Sequence, residues 1–279
     1  MVRSERNDDM KQEVKIAVVV VIYNEQIGNV KSYQSLLKYC VPEDVLIYDN
    51  SRSAQENPYG FHYLHDPSNP GVSKAYNYAA SQAISKSYSH LLILDSDSEF
   101  PKDALETYRK AARKNPNRLI LPQVVADGKV ISPFWFKWGK SWYGEHIKEG
   151  KLEFWQIAAI NSGTLIPLFE FEKTKGYDEN IPLDWSDIAF CRQLGRLNIG
   201  GVKLPMQIKH DLSESNLSSW ELAKFRFKTY MLGMKATPAK HLFEALLMVI
   251  WAKLKALKLV WRYKSFWFLL HYSRKLLNA

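Results

Sequence analysis

Cysteine is almost absent from this chain: Cys40 and Cys191 are the only two in 279 residues. Thiols so far apart give neither the clustered spacing of a zinc site nor a disulfide framework, which predicts reduced packing residues in a cytosolic protein. The polar start, Met1 to Lys15, has no apolar core of the kind a secretory signal needs, so export is not expected. Long hydrophobic runs are missing too. Among the most apolar stretches, Ala245 to Ala252 and Ser265 to Tyr272, none approaches the roughly 20 residues of a spanning helix. Internal repeats and low-complexity tracts do not occur. With 46% apolar and 13% aromatic residues, the chain is globular and long enough for one large domain plus an appendage.

Negative charge is scarce at one end. From Lys224 to Ala279, 12 Lys and Arg face a single acid, Glu244, whereas Met1 to Ala223 carries 26 basic and 28 acidic residues. The formal charge of +9 therefore belongs to the tail. Such a split fits a near-neutral catalytic body with a cationic attachment surface.

The front of the chain alternates short β-type runs with helical spacing, which predicts a parallel α/β sheet. Lys15 to Ile22 (KIAVVVVI) reads as a buried central strand. Val45 to Tyr48, Phe61 to Leu64 and His90 to Leu94 follow as strands. Asn29 to Tyr39, Val72 to Ser85 and Lys102 to Lys114 carry helical spacing, the last with Pro101 placed like a first-turn proline. Leu119 to Pro167 is mixed and aromatic, read as strands and long loops. Ser186 to Leu197 reads as a short helix, and Leu217 onward as helix almost to the end, broken near Pro238.

In open α/β sheets ligands bind beyond the carboxyl ends of the strands. Three polar clusters stand there: Tyr23-Asn24-Glu25, Asp49-Asn50-Ser51 and Asp95-Ser96-Asp97. Residues of these types also begin loops for backbone reasons alone. The third cluster points to more, because two carboxylates emerge together from a buried strand. Hard cations such as Mg²⁺ and Mn²⁺ take oxygen ligands of this kind together with substrate phosphates.

The order of motifs resembles glycosyltransferase family 2, whose members have the GT-A fold. VVVVIYNE matches the opening strand, LIYDNSRS the second, and Asn69-Pro70-Gly71 to Asn77 the following element. The Asp-x-Asp at Asp95 and Asp97 comes next, then Asn161-Ser162-Gly163-Thr164 and GYDENIPLDWSDIAFCRQL on the acceptor side. The likeness runs from about Lys15 to about His210. It implies an α/β GT-A domain over residues 15–212; the flanks are read from their own composition as a flexible 1–14 and a helical, basic, amphipathic, membrane-associating region over 213–279. The implied activity is metal-dependent, inverting sugar transfer from a nucleotide-diphosphate donor to a glycan or lipid-linked acceptor. The segments IYDNS and NPG and the WSD-to-Arg192 helix look most like bacterial rhamnosyltransferases of polysaccharide assembly. That makes dTDP-rhamnose the first expected donor, with UDP-sugars close behind.

By the same resemblance, Asp49 meets the pyrimidine ring, and Tyr23 and Glu25 line the nucleoside pocket. Asn77 and Lys74 belong to the donor side, where Lys74 and Arg192 are placed to balance diphosphate charge. Relatives often carry a longer acidic run at the second strand; here Asp49 is followed by Asn50. Asp97 is expected as the direct ligand of Mn²⁺ or Mg²⁺, Asp95 beside it, and His210 as a third ligand. Asp187 is expected as the base, with Asp184 its nearest competitor, although an acid there also suits a helix N-terminus. Asp184, Trp185 and Ser162 are assigned to the acceptor. Aromatic residues between Phe134 and Tyr143 are read either as sugar-stacking surfaces or as core beneath a long loop.

In the tail, Leu246, Ile250, Leu254, Leu257, Trp261 and Phe268 recur at steps of three or four residues, with Lys255, Lys258 and Arg262 on another side. Two readings fit: an interfacial helix on an anionic membrane, or a helix packed on the catalytic body. The first places the protein on the inner face of the cell membrane, peripherally bound. A nucleic-acid-binding protein is the rival from another class, but it leaves the strand-end acids unexplained, so no nucleic acid is expected as partner. A nucleotidyltransferase is the enzymatic rival, since it shares the metal and nucleotide sites.

Overall fold

The computed structural model describes residues 13–144, 146–211 and 219–277, the side chains of 274–277 excepted. The expected N-terminal segment therefore lies outside the described residues, save for 13 and 14, as do the start of the expected tail region and of its first helix at Leu217. The strands are β1 (Ile16–Ile22), β2 (Val45–Asp49), β3 (His62–His65), β4 (His90–Asp95), β5 (Ser98–Glu99), β6 (Leu119–Ala126) and β7 (Lys129–Ser132). They continue with β8 (Phe134–Lys137), β9 (Lys140–Trp142), β10 (Gly150–Glu153), β11 (Ile157–Ala158), β12 (Leu165–Pro167) and β13 (Gly200–His210). The α-helices are α1 (Lys31–Ser35), α2 (Val72–Ser85), α3 (Ala104–Lys114), α4 (Leu168–Thr174), α5 (Ser186–Arg196), α6 (Trp220–Ala236), α7 (Leu242–Tyr263) and α8 (Trp267–Leu277).

The main sheet runs β10-β13-β6-β12-β4-β1-β2-β3, and a small second sheet holds β11-β8-β9. β1 pairs in parallel with both β2 and β4, and β2 with β3. The parallel sheet expected for the front of the chain is present in β1 to β4; β12, from the stretch read as strands and long loops, lies antiparallel between β4 and β6, so the architecture is mixed α/β. β12 follows no crossover helix, and antiparallel pairing needs none.

Alternation along β1 divides the core. Ala17 and Val19 join α2, α4 and α5 on one face, whereas Val18, Val20 and Ile22 join α3 and the α1 region on the other. A third core, from Phe227 and Met231 of α6, Met248 and Ala252 of α7 and Phe268 of α8, belongs to the C-terminal helices. Trp185 packs against both the first and the third.

Three expected elements differ. The helix expected at 29–39 is only a five-residue α1 between two short 3-10 turns. Tertiary contacts tie the segment down: Ser32 N–H, a first-turn donor without an intrahelical partner, donates to the Ser96 carbonyl, and the Ser35 hydroxyl accepts from the Phe100 N–H. α3 starts at Ala104, whose N–H donates to the Pro101 carbonyl, so the proline precedes the helix. The C-terminal helices break twice, after Ala236 as expected and again at Lys264, which adopts a left-handed conformation at φ 53°.

Candidate active site at the strand ends

Because β1, β2, β3 and β4 run in one direction, Tyr23, Asp49, Asp66 and Asp95 reach the same edge of the sheet. Tyr23 and Glu25 are exposed there. Asp49 is fully buried, and its carboxylate accepts from the Ser51 N–H (2.8 Å), the Tyr63 hydroxyl (2.6 Å) and the Gln55 amide (3.2 Å). Burial alone raises its pKa, but these donors together hold it below the usual carboxylate range. Gln55 also bonds the Glu25 carbonyl and the Ile27 N–H, tying the β1 loop to β2. Lys74 lies 3.6 Å from Asp66, which accepts from the hydroxyls of Tyr48 and Ser68. The Asn77 amide is committed to the backbone of Tyr177, donating to its carbonyl and accepting from its N–H.

The second cluster forms where β5 pairs with the end of β13. That ladder sets His210 opposite Ser98, bringing the histidine beside Asp97 across 112 residues of sequence. Ligand atoms of Asp95, Asp97 and His210 all lie within 4.8 Å of one another. Asp97 Oδ1 is 3.2 Å from His210 Nδ1, yet it is buried and has no hydrogen-bond partner among the described residues. Buried polar atoms are rarely left so, and two carboxylates with an imidazole are a donor set a divalent cation fits, with Mn²⁺ suited better than Mg²⁺ to the imidazole. Burial pushes the Asp97 carboxyl up to about 6, His210 pulling it down and Asp95 adding to the rise. Asp95 is raised by burial as well. Ser162 is buried beneath this cluster, where its hydroxyl accepts from the Asp95 N–H and bonds Ser98, a bracing position.

Asp187 stands in the first turn of α5, its carboxylate accepting from the Ile188 N–H at 2.7 Å. Burial pushes its pKa up to about 7, and the negative charges of Asp184 and Asp95 add to the rise. Burial raises the pKa of the Tyr76 and Tyr177 phenols, and the negative charges of both Asp95 and Asp187 add to the rise. The loop before α5 is held from both sides. On one side Val72 N–H donates to the Pro182 carbonyl and Ser73 to the Ile181 carbonyl. Gly71, at φ 97°, permits that approach, since a Cβ there collides with the Pro182 backbone. On the other side Asp184 accepts from Arg226 (2.9 Å) and Thr229 (3.1 Å) of α6. Trp185 is half-buried between Phe136 and Tyr230, both edge-on.

Arg192 is corrected: it is buried and ion-paired with Glu244 of α7 at 2.6 Å, away from any diphosphate role. The aromatic stretch divides, with Phe134 and Phe136 in the core while Trp138, Trp142 and Tyr143 are exposed. Sequence reasoning missed Gln55, Tyr63, Tyr76, Asp66, Arg226 and Glu244. Asp66 had a signal, as a further acid directly after a strand, and Glu244 another, as the sole acid from Lys224 to Ala279; the others act through tertiary contacts that leave no local pattern.

Residues 17–170 match the model for Glycosyl transferase family 2. No curated protein matches the chain in sequence. Among solved structures, GalNAc-T7 with UDP, GalNAc and Mn²⁺ superposes with a TM-score of 0.58 at 11% identity, covering 80% of this chain and 47% of that one. TarS of S. aureus superposes at 0.54 and 16% identity, covering 87% of this chain and 43% of that one. TarS 1-349 in complex with UDP-GlcNAc gives 0.53 at 14% identity, covering 85% and 71%. The chain thus spans under half the length of the first two, and the likeness is one of fold.

Proposed function

The chain belongs to glycosyltransferase family 2 and has a GT-A-like fold, and from that premise we propose that it is an inverting, metal-dependent transferase acting on a membrane-held glycan or lipid-linked acceptor. Asp187 is the base. The acceptor oxygen bonds to the anomeric carbon, the bond to the diphosphate breaks with its electron pair leaving on the nucleoside diphosphate, and the acceptor proton passes to Asp187. The observation that carries this reading is the Asp95, Asp97 and His210 cluster at the strand ends together with Asp187 in the first turn of α5, whose carboxyl, raised to about 7, is matched to proton transfer near neutral pH. Asp95, Asp97 and His210 would hold Mn²⁺ or Mg²⁺, which would supply charge neutralisation for the leaving diphosphate. The uracil nucleotides of the TarS and GalNAc-T7 structures support a UDP-sugar donor, and the resemblance of IYDNS, NPG and the WSD segment to rhamnosyltransferases supports dTDP-rhamnose. Asp49 serves either base, with Gln55 and Tyr63 fixing its carboxylate.

Membrane attachment belongs to the same reading, with residues 15–212 as the catalytic unit and 213–279 as the attaching one. Among the described residues no helix is long and apolar enough to cross a membrane. α7 instead has two apolar faces. Met248, Ala252 and Ala256 are buried, while Phe243, Leu246, Ile250, Leu254, Leu257 and Trp261 form an exposed stripe on the opposite side. Lys253 and Lys258 flank that stripe, and Trp138 and Trp142 of the β8–β9 hairpin are exposed nearby, the Trp138 carbonyl accepting from Trp251 of α7. An outward apolar stripe edged by cations and Trp suits the interface of an anionic bilayer. Of the stripe expected from sequence, Phe268 alone is buried.

The test is turnover of dTDP-rhamnose and a panel of UDP-sugars with membrane extract and Mn²⁺ or Mg²⁺. Release of nucleoside diphosphate, abolished by Asp97→Asn, is expected. Release of pyrophosphate instead makes the chain a nucleotidyltransferase.

A further inference from the structure

Resting on the assignment of Asp187, we propose that the C-terminal helices are a working part of the catalytic site, with Glu244 and Arg226 as positioning residues for the segment that bears the base. Four ties bind residues 184–192 to the tail. Asp184 accepts from Arg226 and Thr229 of α6. Trp185 packs edge-on against Tyr230. Gly233 of α6 lies so close to the loop that a Cβ there reaches 2.6 Å from the Asp184 carbonyl oxygen and collides with Trp185. Arg192, one turn and a half beyond Asp187 on α5, is paired with Glu244.

Glu244 is the hub of the last tie. Its side chain is 5% exposed and that of Arg192 2%. One carboxylate oxygen takes the guanidinium and, at 3.4 Å, the Gly139 N–H of the β8–β9 hairpin; the other takes the Lys240 N–H at 2.6 Å. The guanidinium lies over the Phe136 ring, the same ring that Trp185 meets edge-on. A single carboxylate thus fixes α5, the hairpin and the start of α7 against one another. Glu244 is the sole acid between Lys224 and Ala279, and the fold spends it inward on the helix that begins at the base. A buried ion pair is a poor source of net stability, because desolvation offsets its attraction, but it does fix geometry. Proton transfer is sensitive to that geometry, since displacements of about 1 Å cost catalysis heavily.

The test is steady-state kinetics and thermal denaturation of full-length variants. Arg192→Met combined with Glu244→Leu removes both charges together, so neither is stranded. The expected result is a Tm near wild type, a kcat lowered about tenfold or more, and an unchanged donor KM. Arg226→Ala is expected to lower kcat in the same way, and Arg226→Lys, which keeps a cation toward Asp184, to restore it. Wild-type kcat in the paired variant, or a kcat loss in both series that merely follows loss of Tm, overturns the proposal. Should the paired variant not fold, the Arg226 series decides: equal kcat for Ala and wild type overturns it, and loss rescued by Lys upholds it. A wild-type rate in Asp187→Asn instead removes the base assignment on which the proposal rests, and so is told apart from failure of the positioning role itself.

Discussion

Asp187, half-buried, and His90, buried, are titratable groups whose protons act on different properties. Asp187, raised to about 7, is protonated and unable to act as base below that pH. The transfer rate is therefore expected to fall as pH drops through about 7, by roughly tenfold per unit in the limit, in a pH profile of kcat. Asp187→Asn lowers the rate by orders of magnitude and removes that limb; an unchanged limb contradicts the assignment. His90 is held neutral by burial, its pKa lowered to about 4, with Nε2 lacking a partner among the described residues. Between about 4 and 6.5 the unfolded chain binds the proton and the folded one does not, so His90 costs stability progressively as pH falls below 6.5, by up to about 3 kcal/mol. His90→Leu is expected to flatten denaturant stability over that window relative to wild type, and a parallel slope in both proteins refutes it. The acids at 49, 95, 97 and 187 were legible because each follows a strand or opens a helix, a local signature. The partners of Asp49 were not, because Gln55 and Tyr63 reach it through loop and cross-strand geometry.

Among elements, those sealed by periodic apolar faces were readable to the residue or nearly so. α2 spans Val72–Ser85 and α5 Ser186–Arg196, each presenting Ala, Ile or Phe at helical spacing to one core. α1 was not readable, because its length is set by tertiary ties, Ser32 N–H to the Ser96 carbonyl and Phe100 N–H to the Ser35 hydroxyl, that leave no local pattern. The break at Lys264 has no Gly or Pro to announce it, and the short antiparallel β12 carries no signal of direction. α6 offers a direct test of how closely the tail meets the base loop. Gly233→Ala places a methyl group against Trp185 and the Asp184 backbone, and overpacking of this kind costs about 1–3 kcal/mol. A clear drop in Tm is expected by thermal denaturation, whereas an unchanged Tm shows that α6 does not press on the loop.

For the whole molecule, charge asymmetry and the doubled apolar faces of α7 are the features from which membrane attachment is proposed. Replacing Ile250 and Leu254 with Glu is expected to abolish sedimentation with anionic vesicles while a soluble acceptor is still glycosylated, and wild-type binding should weaken in high salt. Vesicle binding that survives both changes contradicts the outward stripe as the contact. The separation between a neutral body and a basic tail was plain in the sequence, but which side of α7 faces outward was not, because helical periodicity alone serves packing and lipid equally. In the proposed mechanism Asp95, Asp97 and His210 hold a cation that carries the donor diphosphate. Calorimetric titration of UDP and dTDP into the protein, with and without Mn²⁺, tests it most directly. Metal-dependent nucleotide binding in the wild type, lost in Asp97→Asn, is the predicted result; binding of equal strength without metal, or undiminished in the variant, contradicts it.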